Sequence, residues 1–264
     1  MRHGSVQTTL LLALLSGMSG CAVMEMKPGA RSIFQVFETE SPSEAAASAI
    51  DPFDPDRRYR GTLLLANAPW ASSPVYIKVF TDNAKDEDPG VRAAAIRGIS
   101  NHGSPDLAPL VLVCLRDTDA AVRLEAARAL QRLHYPDAVP ALVDAINPEI
   151  EPDVQVRSEA AIALGQYAQG TVIDALIKAL DDENLAMNRG TLLSLRTLTG
   201  QDFGYDRAAW AAWNKAESQT FAARSVYMYP VFNRDKRWFE HIPFVPPPPN
   251  EATSTPAGLP PTAQ

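Results

Sequence analysis

Four segments of this chain open alike, and that repetition limits the fold more than any other feature of the sequence. Asp88-Pro-Gly-Val91-Arg92, Asp119-Ala-Ala-Val122-Arg123, Asp153-Val-Gln-Val156-Arg157 and Asp182-Glu-Asn-Leu185 share an acidic first residue and an apolar fourth, and three of them place arginine fifth. The apolar anchors stand 31, 34 and 29 residues apart. Periods of this size belong to stacked supersecondary units, each too small to bury its own apolar face. Within a unit the spacing is helical. Val122, Ala126, Leu130 and Leu133 make one stripe, and Val156, Ala160, Leu164 and Val91, Ala95, Ile99 repeat it. A second apolar stripe precedes each: Leu107, Leu110, Val111 and Cys114; Val139, Leu142 and Ile146; Val172, Leu176 and Leu180. Breakers fall where such hairpins would turn, at Gly103-Ser-Pro105, Tyr135-Pro-Asp137 and Gln169-Gly170. Each anchor aspartate falls at an N-cap position, where a carboxylate satisfies the free amides of a first turn. Alanines 95, 126, 127, 160 and 161 allow neighbouring helices to approach closely.

The pattern Asp-x-x-Val-Arg-x-x-Ala-Ala-x-x-Leu, met at 119–130 and again at 153–164, resembles the HEAT repeat. In detail it is similar to the short bacterial HEAT-like repeats first noted in phycobilisome lyases. The likeness covers residues 74–200. It implies an all-α, right-handed α-solenoid of about four helical hairpins, with second helices lining the concave face. The fourth unit departs from the pattern: Ala186 stands where the anchor arginine should be, and Arg189 at the usual alanine. Such an architecture serves many functions, so it implies a fold more than an activity.

The N-terminus reads as a processing signal. Arg2, the apolar run Leu10 to Leu15 and a small-residue exit to Gly20 form a secretory signal peptide over residues 1–20, too short to span a bilayer. Met18-Ser19-Gly20-Cys21 resembles the lipobox of bacterial lipoproteins. The resemblance implies an acylated Cys21 as the mature first residue, and two or more chains would hold a protein firmly on a membrane. The expected location is the cell envelope, in the outer membrane or facing the periplasm. Residues 21–60 read as acylated N-terminus and flexible tether, and 61–217 as the solenoid with a cap at either end. Trp210 and Trp213, three apart on one helix face, suit core packing at the last unit better than ligand contact.

Residues 218–245 form an arm in which Tyr227, Tyr229, Phe232, Trp238, Phe239 and Phe244 alternate with Arg224, Arg234, Lys236 and Arg237. It is expected to pack back along the solenoid as an extended return strand, or to dock on a partner or at lipid head groups. Many of the chain's 22 prolines crowd the end, and residues 246–264 are expected to be a disordered proline-rich tail.

Little in the sequence points to chemistry. A formal charge of −7 gives no electrostatic basis for nucleic-acid binding. His102 and His134 have no second ligand at helical spacing, and suit helix capping better than metal binding. Cys114 falls on a buried stripe, as a small apolar residue. Asp181-Asp182-Glu183 reads as a solvated cap rather than a cation site. There is no glycine-rich phosphate loop and no Gly-x-Ser-x-Gly turn. No catalytic residue, metal or cofactor is therefore expected. The expected function is a scaffold that binds a protein through solvent-facing Arg97, Asn101, Glu125, Arg128, Arg132, Glu159 and Gln166, with Tyr227, Tyr229, Trp238 and Phe239 of the arm as further contacts. A lyase-type or chromophore-binding repeat protein is one alternative. A structural envelope component docking through its arm is another.

Overall fold

The computed structural model describes residues 41–230 and 253–260. The signal segment, Cys21, Trp238 and Phe239 lie outside them. The chain divides into two units, Met1–Ser41 and Pro42–Gln264, and every element below belongs to the second.

Among the described residues there are eleven helices and no strand, as an α-solenoid requires. They are α1 (Pro42–Ala49), α2 (Pro55–Ala66), α3 (Pro74–Asn83), α4 (Pro89–His102), α5 (Ala108–Cys114), α6 (Ala120–Arg132), α7 (Val139–Ala145), α8 (Val154–Leu164), α9 (Gly170–Ala179), α10 (Leu185–Thr199) and α11 (Arg207–Ala216). Single 3-10 turns at Pro105–Leu107 and Pro136–Ala138 lead into α5 and α7. The even-numbered helices from α2 to α10 form one layer, each packed along the next. The odd helices α1 to α9 form a second layer, and each packs on its own hairpin partner far more than on its odd neighbours.

The anchor stripes are the core. Val91, Ala95 and Ile99, then Val122, Ala126 and Leu130, then Val156, Ala160 and Leu164 are all fully buried. Aspartates 88, 119 and 153 cap α4, α6 and α8, accepting hydrogen bonds from first-turn amides at 2.8 to 3.2 Å.

The register of the last repeat differs from the expected one by two residues. Asn184, not Asp182, caps α10, accepting from the Ala186 amide at 2.9 Å. The buried stripe is then Met187, Thr191 and Leu195, while Leu185 is 53% exposed. Asp-x-x-Leu at 182–185 mimics the anchor, but an asparagine caps as well as an aspartate, and Met187 fills the core position that Leu185 would leave outside. The anchors thus stand 31, 34 and 31 residues apart.

A further hairpin precedes the expected four, in residues assigned above to the tether and N-terminal cap. Asp54 caps α2, its carboxylate accepting from Asp56 and Arg57 amides at 2.9 and 3.2 Å. Asp54-x-x-Arg57-Arg58-x-x-Gly61-Thr62-x-x-Leu65 repeats the motif, with arginine in place of valine and Gly61-Thr62 in place of the alanine pair. Arg57 stays half-exposed beside Asp51. Gly61 is required by close approach: a Cβ there would lie 2.3 Å from the Ala49 amide nitrogen and 2.6 Å from the Ala45 carbonyl oxygen. Asn83 ties the hairpin to the next, donating to Thr62 Oγ1 at 2.7 Å and to the Ala49 carbonyl at 2.9 Å. Small, weakly apolar α1 is held by fit rather than by area, so its composition resembles a linker.

At the far end α11 covers the last hairpin. Trp210 is fully buried, meets Phe203 edge-on at 4.9 Å and donates its indole N–H to the Gly204 carbonyl. The chain then returns across the C-terminal ends of the even helices. Ser225 donates to the Thr197 carbonyl of α10 at 2.8 Å, Tyr227 is buried, and Arg132 at the end of α6 lies 4.9 Å over the Tyr229 ring. Residues 225–230 run along the solenoid as an extended segment, without the ladder of a strand. Residues 253–260 are not a disordered tail. Ala257 donates to the Arg132 carbonyl at 2.7 Å and accepts from the His134 amide at 2.9 Å, and Pro256 is buried. The last carbonyls of a helix lack partners within it, and these amides supply them.

Replacing Gly61 by alanine should force α1 off α2, because the obstacle is the backbone of α1 rather than a flexible side chain. A loss of about 1–3 kcal/mol is expected in urea unfolding followed by circular dichroism.

Candidate interaction face

The even-helix layer carries two rows of ionic contacts and a peptide edge, and each starts from a repeated sequence position. The first row joins hairpin to hairpin at the N-terminal ends. Arg92 donates from Nε and Nη2 to the two oxygens of Asp117, each at 2.8 Å. Arg123 does the same to Glu151 at 2.6 and 3.0 Å, and Arg58 to Asp86 at 2.8 and 3.0 Å. Arg157 reaches one oxygen of Asp182 from both nitrogens, at 3.2 and 3.0 Å. The third nitrogen of Arg92, Arg123 and Arg157 donates to two carbonyls of the loop before its own helix.

Each acceptor carboxylate also holds the next cap. Asp86, Asp117, Glu151 and Asp182 accept the backbone amide of the residue two places on, which is the cap of α4, α6, α8 or α10, at 2.8 to 2.9 Å. Asp182, expected above to cap, is therefore a rung of this ladder. The carboxylates were missed in the sequence, although an acidic residue two places before each cap recurs at 86, 117, 151 and 182. At the end of the row Asn188 replaces the arginine. It keeps the contact to its own loop, donating to the Asp182 carbonyl at 2.8 Å.

Burial opposes the charge of Asp86 and Asp117. The arginine hydrogen bonds, the cap amides and the guanidinium charge outweigh it, and both stay below the usual carboxylate range. The paired guanidiniums of Arg58, Arg92 and Arg123 are raised, first by the carboxylate hydrogen bond and against desolvation.

The second row contains most of the residues expected to face a ligand. Arg97 pairs with Glu125 across α4 and α6, and Arg128 donates to Glu125 and to Glu159 of α8, both at 3.2 Å. Gln131 also donates to Glu159, and Arg132 donates to Asn101 at 2.7 Å. Asn101 in turn donates to the Ala66 carbonyl at 2.9 Å. Glu125 and Gln166 are not solvent-facing: they are 8% and 7% exposed, and Gln166 donates to the Leu130 carbonyl at 2.7 Å. Neighbouring helices come close enough for these side chains to span the gap, which a single-helix projection does not show. The side chains of Arg97 and Arg128 keep 39% and 30% of their surface.

The third feature is the rim covered by the returning chain. A cavity of about 250 Å³ opens there between His134, Gln166, Tyr167, Arg224, Tyr227 and Leu259. Both described histidines sit at ends of even helices. His102 Nε2 lies 3.0 Å from the Ala66 carbonyl of the preceding unit, and His134 stacks on Tyr167 at 5.0 Å with Nδ1 3.3 Å from Gln166 Oε1. Desolvation pushes both imidazoles below 6.5; it outweighs the Ala66 bond in His102, where Arg132 adds to it, and the Gln166 bond in His134. Burial raises the Cys114 thiol to about 11, leaving it without nucleophilic character at neutral pH. Among the described residues, no group of three or more His, Cys, Asp or Glu could hold a metal, and no helix is long and apolar enough to cross a membrane.

Comparison with protein families matches HEAT repeats over residues 77–151 and the PBS lyase HEAT-like repeat over residues 156–182. The chain therefore carries a HEAT-repeat domain. The first match contains the rungs Arg92–Asp117 and Arg123–Glu151, the second Arg157–Asp182, and α1–α2 and α11 lie outside both. No curated protein matches the chain.

Replacing Arg123 by methionine leaves Glu151, 4% exposed, without its guanidinium. Stability should fall by about 3–5 kcal/mol, and most of the loss should be recovered in the double variant with Glu151→Gln, measured by urea unfolding. The pH dependence has a defined sign. The histidines are depressed bases, so their contribution is complete above 6.5 and is lost as pH falls through their folded values. Asp86 and Asp117 are depressed acids, and their contribution disappears in a second, lower window, below about 4. Urea midpoints should be level above neutrality and drop in two stages on acidification, the upper stage shrinking in His102→Gln.

Proposed function

We propose that the chain is a non-catalytic envelope lipoprotein, anchored by acyl chains on Cys21, whose repeat domain serves as a scaffold for another protein. The observation that carries the scaffold reading is the second ionic row. Repeats keyed in one register place Arg97 and Arg128 along a single layer, each partly exposed and each held by a buried carboxylate. Side chains held in place lose little freedom on binding, and a surface continuous over several units suits an extended protein partner. Mixed charge favours such a partner over a lipid surface or an apolar cofactor. The anchoring reading is supported by Leu10 to Leu15 followed by Met18-Ser-Gly-Cys21.

Two measurements test the two halves separately. Cys21→Ser should abolish fatty-acid labelling and release the protein from the membrane fraction; a variant that stays labelled and bound would refute the anchor. Photocrosslinking residues placed at 97 and 128 should form adducts with a distinct protein in cells. The same residue at Val113, exposed on α5, should not. Equal adducts at all three places, or none, would refute the scaffold.

A further inference from the structure

The returning chain sits on the rim as a peptide ligand would. Its anchorage is backbone-led: Ser225 on the Thr197 carbonyl, Ala257 on the Arg132 carbonyl, and the His134 amide on Ala257. Side chains alternate as on a strand, with Tyr227 and Tyr229 turned to the helices while Val226 and Met228 are 51% and 49% exposed. A turn closed by the Leu259 amide on the Pro256 carbonyl, with Gly258 at φ +80°, ends the crossing. The rim therefore offers a row of helix-end carbonyls, an aromatic slot and a guanidinium shelf. An extended segment needs little else to bind.

The fit of the occupant is imperfect at one point. Tyr227 is 6% exposed, yet its hydroxyl has no hydrogen-bond partner. A buried, unpaired hydroxyl costs free energy that a phenyl ring would not. The cavity of about 250 Å³ lies beside it, so the slot is neither filled nor satisfied by the chain's own tyrosine.

We propose that this rim is a docking site for an extended segment of another polypeptide, and that residues 225–230 and 253–260 are a built-in occupant which that segment displaces. The segment it fits has aromatic residues at two alternate positions. The first has no hydroxyl and fills the Tyr227 slot, and the second lies under Arg132, where a ring face meets the cation. The proposal rests on the scaffold reading and adds a second, peptide-specific contact to it.

The test uses the full chain and a fluorescent peptide with the sequence of residues 223–230 carrying Tyr227→Phe, read by anisotropy. In the chain, Tyr227→Ala should loosen the occupant and tighten peptide binding about tenfold. Tyr227→Phe in the chain should do the opposite: a higher melting temperature and peptide binding weakened several-fold. Adding Arg132→Ala to the opened chain should remove the gain. Should Tyr227→Ala fail to fold, Ala257→Pro, which deletes the amide donated to Arg132, opens the rim in its place. Equal affinity in the unsubstituted, opened and tightened chains overturns the proposal. So does an opened chain that dimerises without taking up peptide, which would make a second copy the occupant. The adducts expected at positions 97 and 128 do not depend on the rim, so a failed peptide test leaves the scaffold reading separately measurable.

Discussion

The arginine after each anchor ties one hairpin to the next, and the rest of the domain depends on that tie. A nearly buried guanidinium must be met by hydrogen-bond acceptors or it costs more than it contributes. Here it meets a carboxylate of the following unit and carbonyls of the loop before its own helix. The carboxylate in turn fixes the amide of the next cap, the cap orders the next helix, and that helix carries the next arginine. Apolar packing alone would tolerate small slips between stacked helices. A bidentate pair does not, since both donors must find both oxygens.

Much of this was legible in the sequence, and the exceptions have physical causes. The stripes Val122-Ala126-Leu130 and Val156-Ala160-Leu164 identify a helix face without ambiguity, because burial on both sides admits only small or branched apolar residues. The outermost described repeats were harder to see because they depart from the motif: the first carries Arg57 where the others carry valine, and the last carries Met187 and Asn188. The chosen face was also read in part: the second-row residues do lie together, but a helical projection cannot show that Glu125 and Gln166 are spent on the adjacent helix. Within the tail, residues 253–260 escaped the composition because proline richness measures the absence of regular structure, not the absence of contacts. Pro256 and Ala257 need only two backbone bonds and a turn to be held.

The two rows and the rim divide the layer by role. Near the N-terminal ends the arginines are nearly enclosed, with Arg92 and Arg157 side chains at 15% and 10% exposure, and serve the stack. Arg97 and Arg128, farther along their helices, are open enough to meet a partner while their carboxylates hold them in place. At the C-terminal ends the surface is already occupied by the chain itself. The layer thus presents ordered charge in the middle and the returning chain at one edge.

Asn188 has a consequence beyond its own contacts. The row of arginine–carboxylate rungs runs from Arg58 to Asp182, and Asn188, with no guanidinium, grips only its own loop. Arg57 likewise spends its charge on Asp51 of its own hairpin. At both outer positions of the described row a polar side chain closes on its own unit, so the ionic tie between hairpins is confined to the units between them.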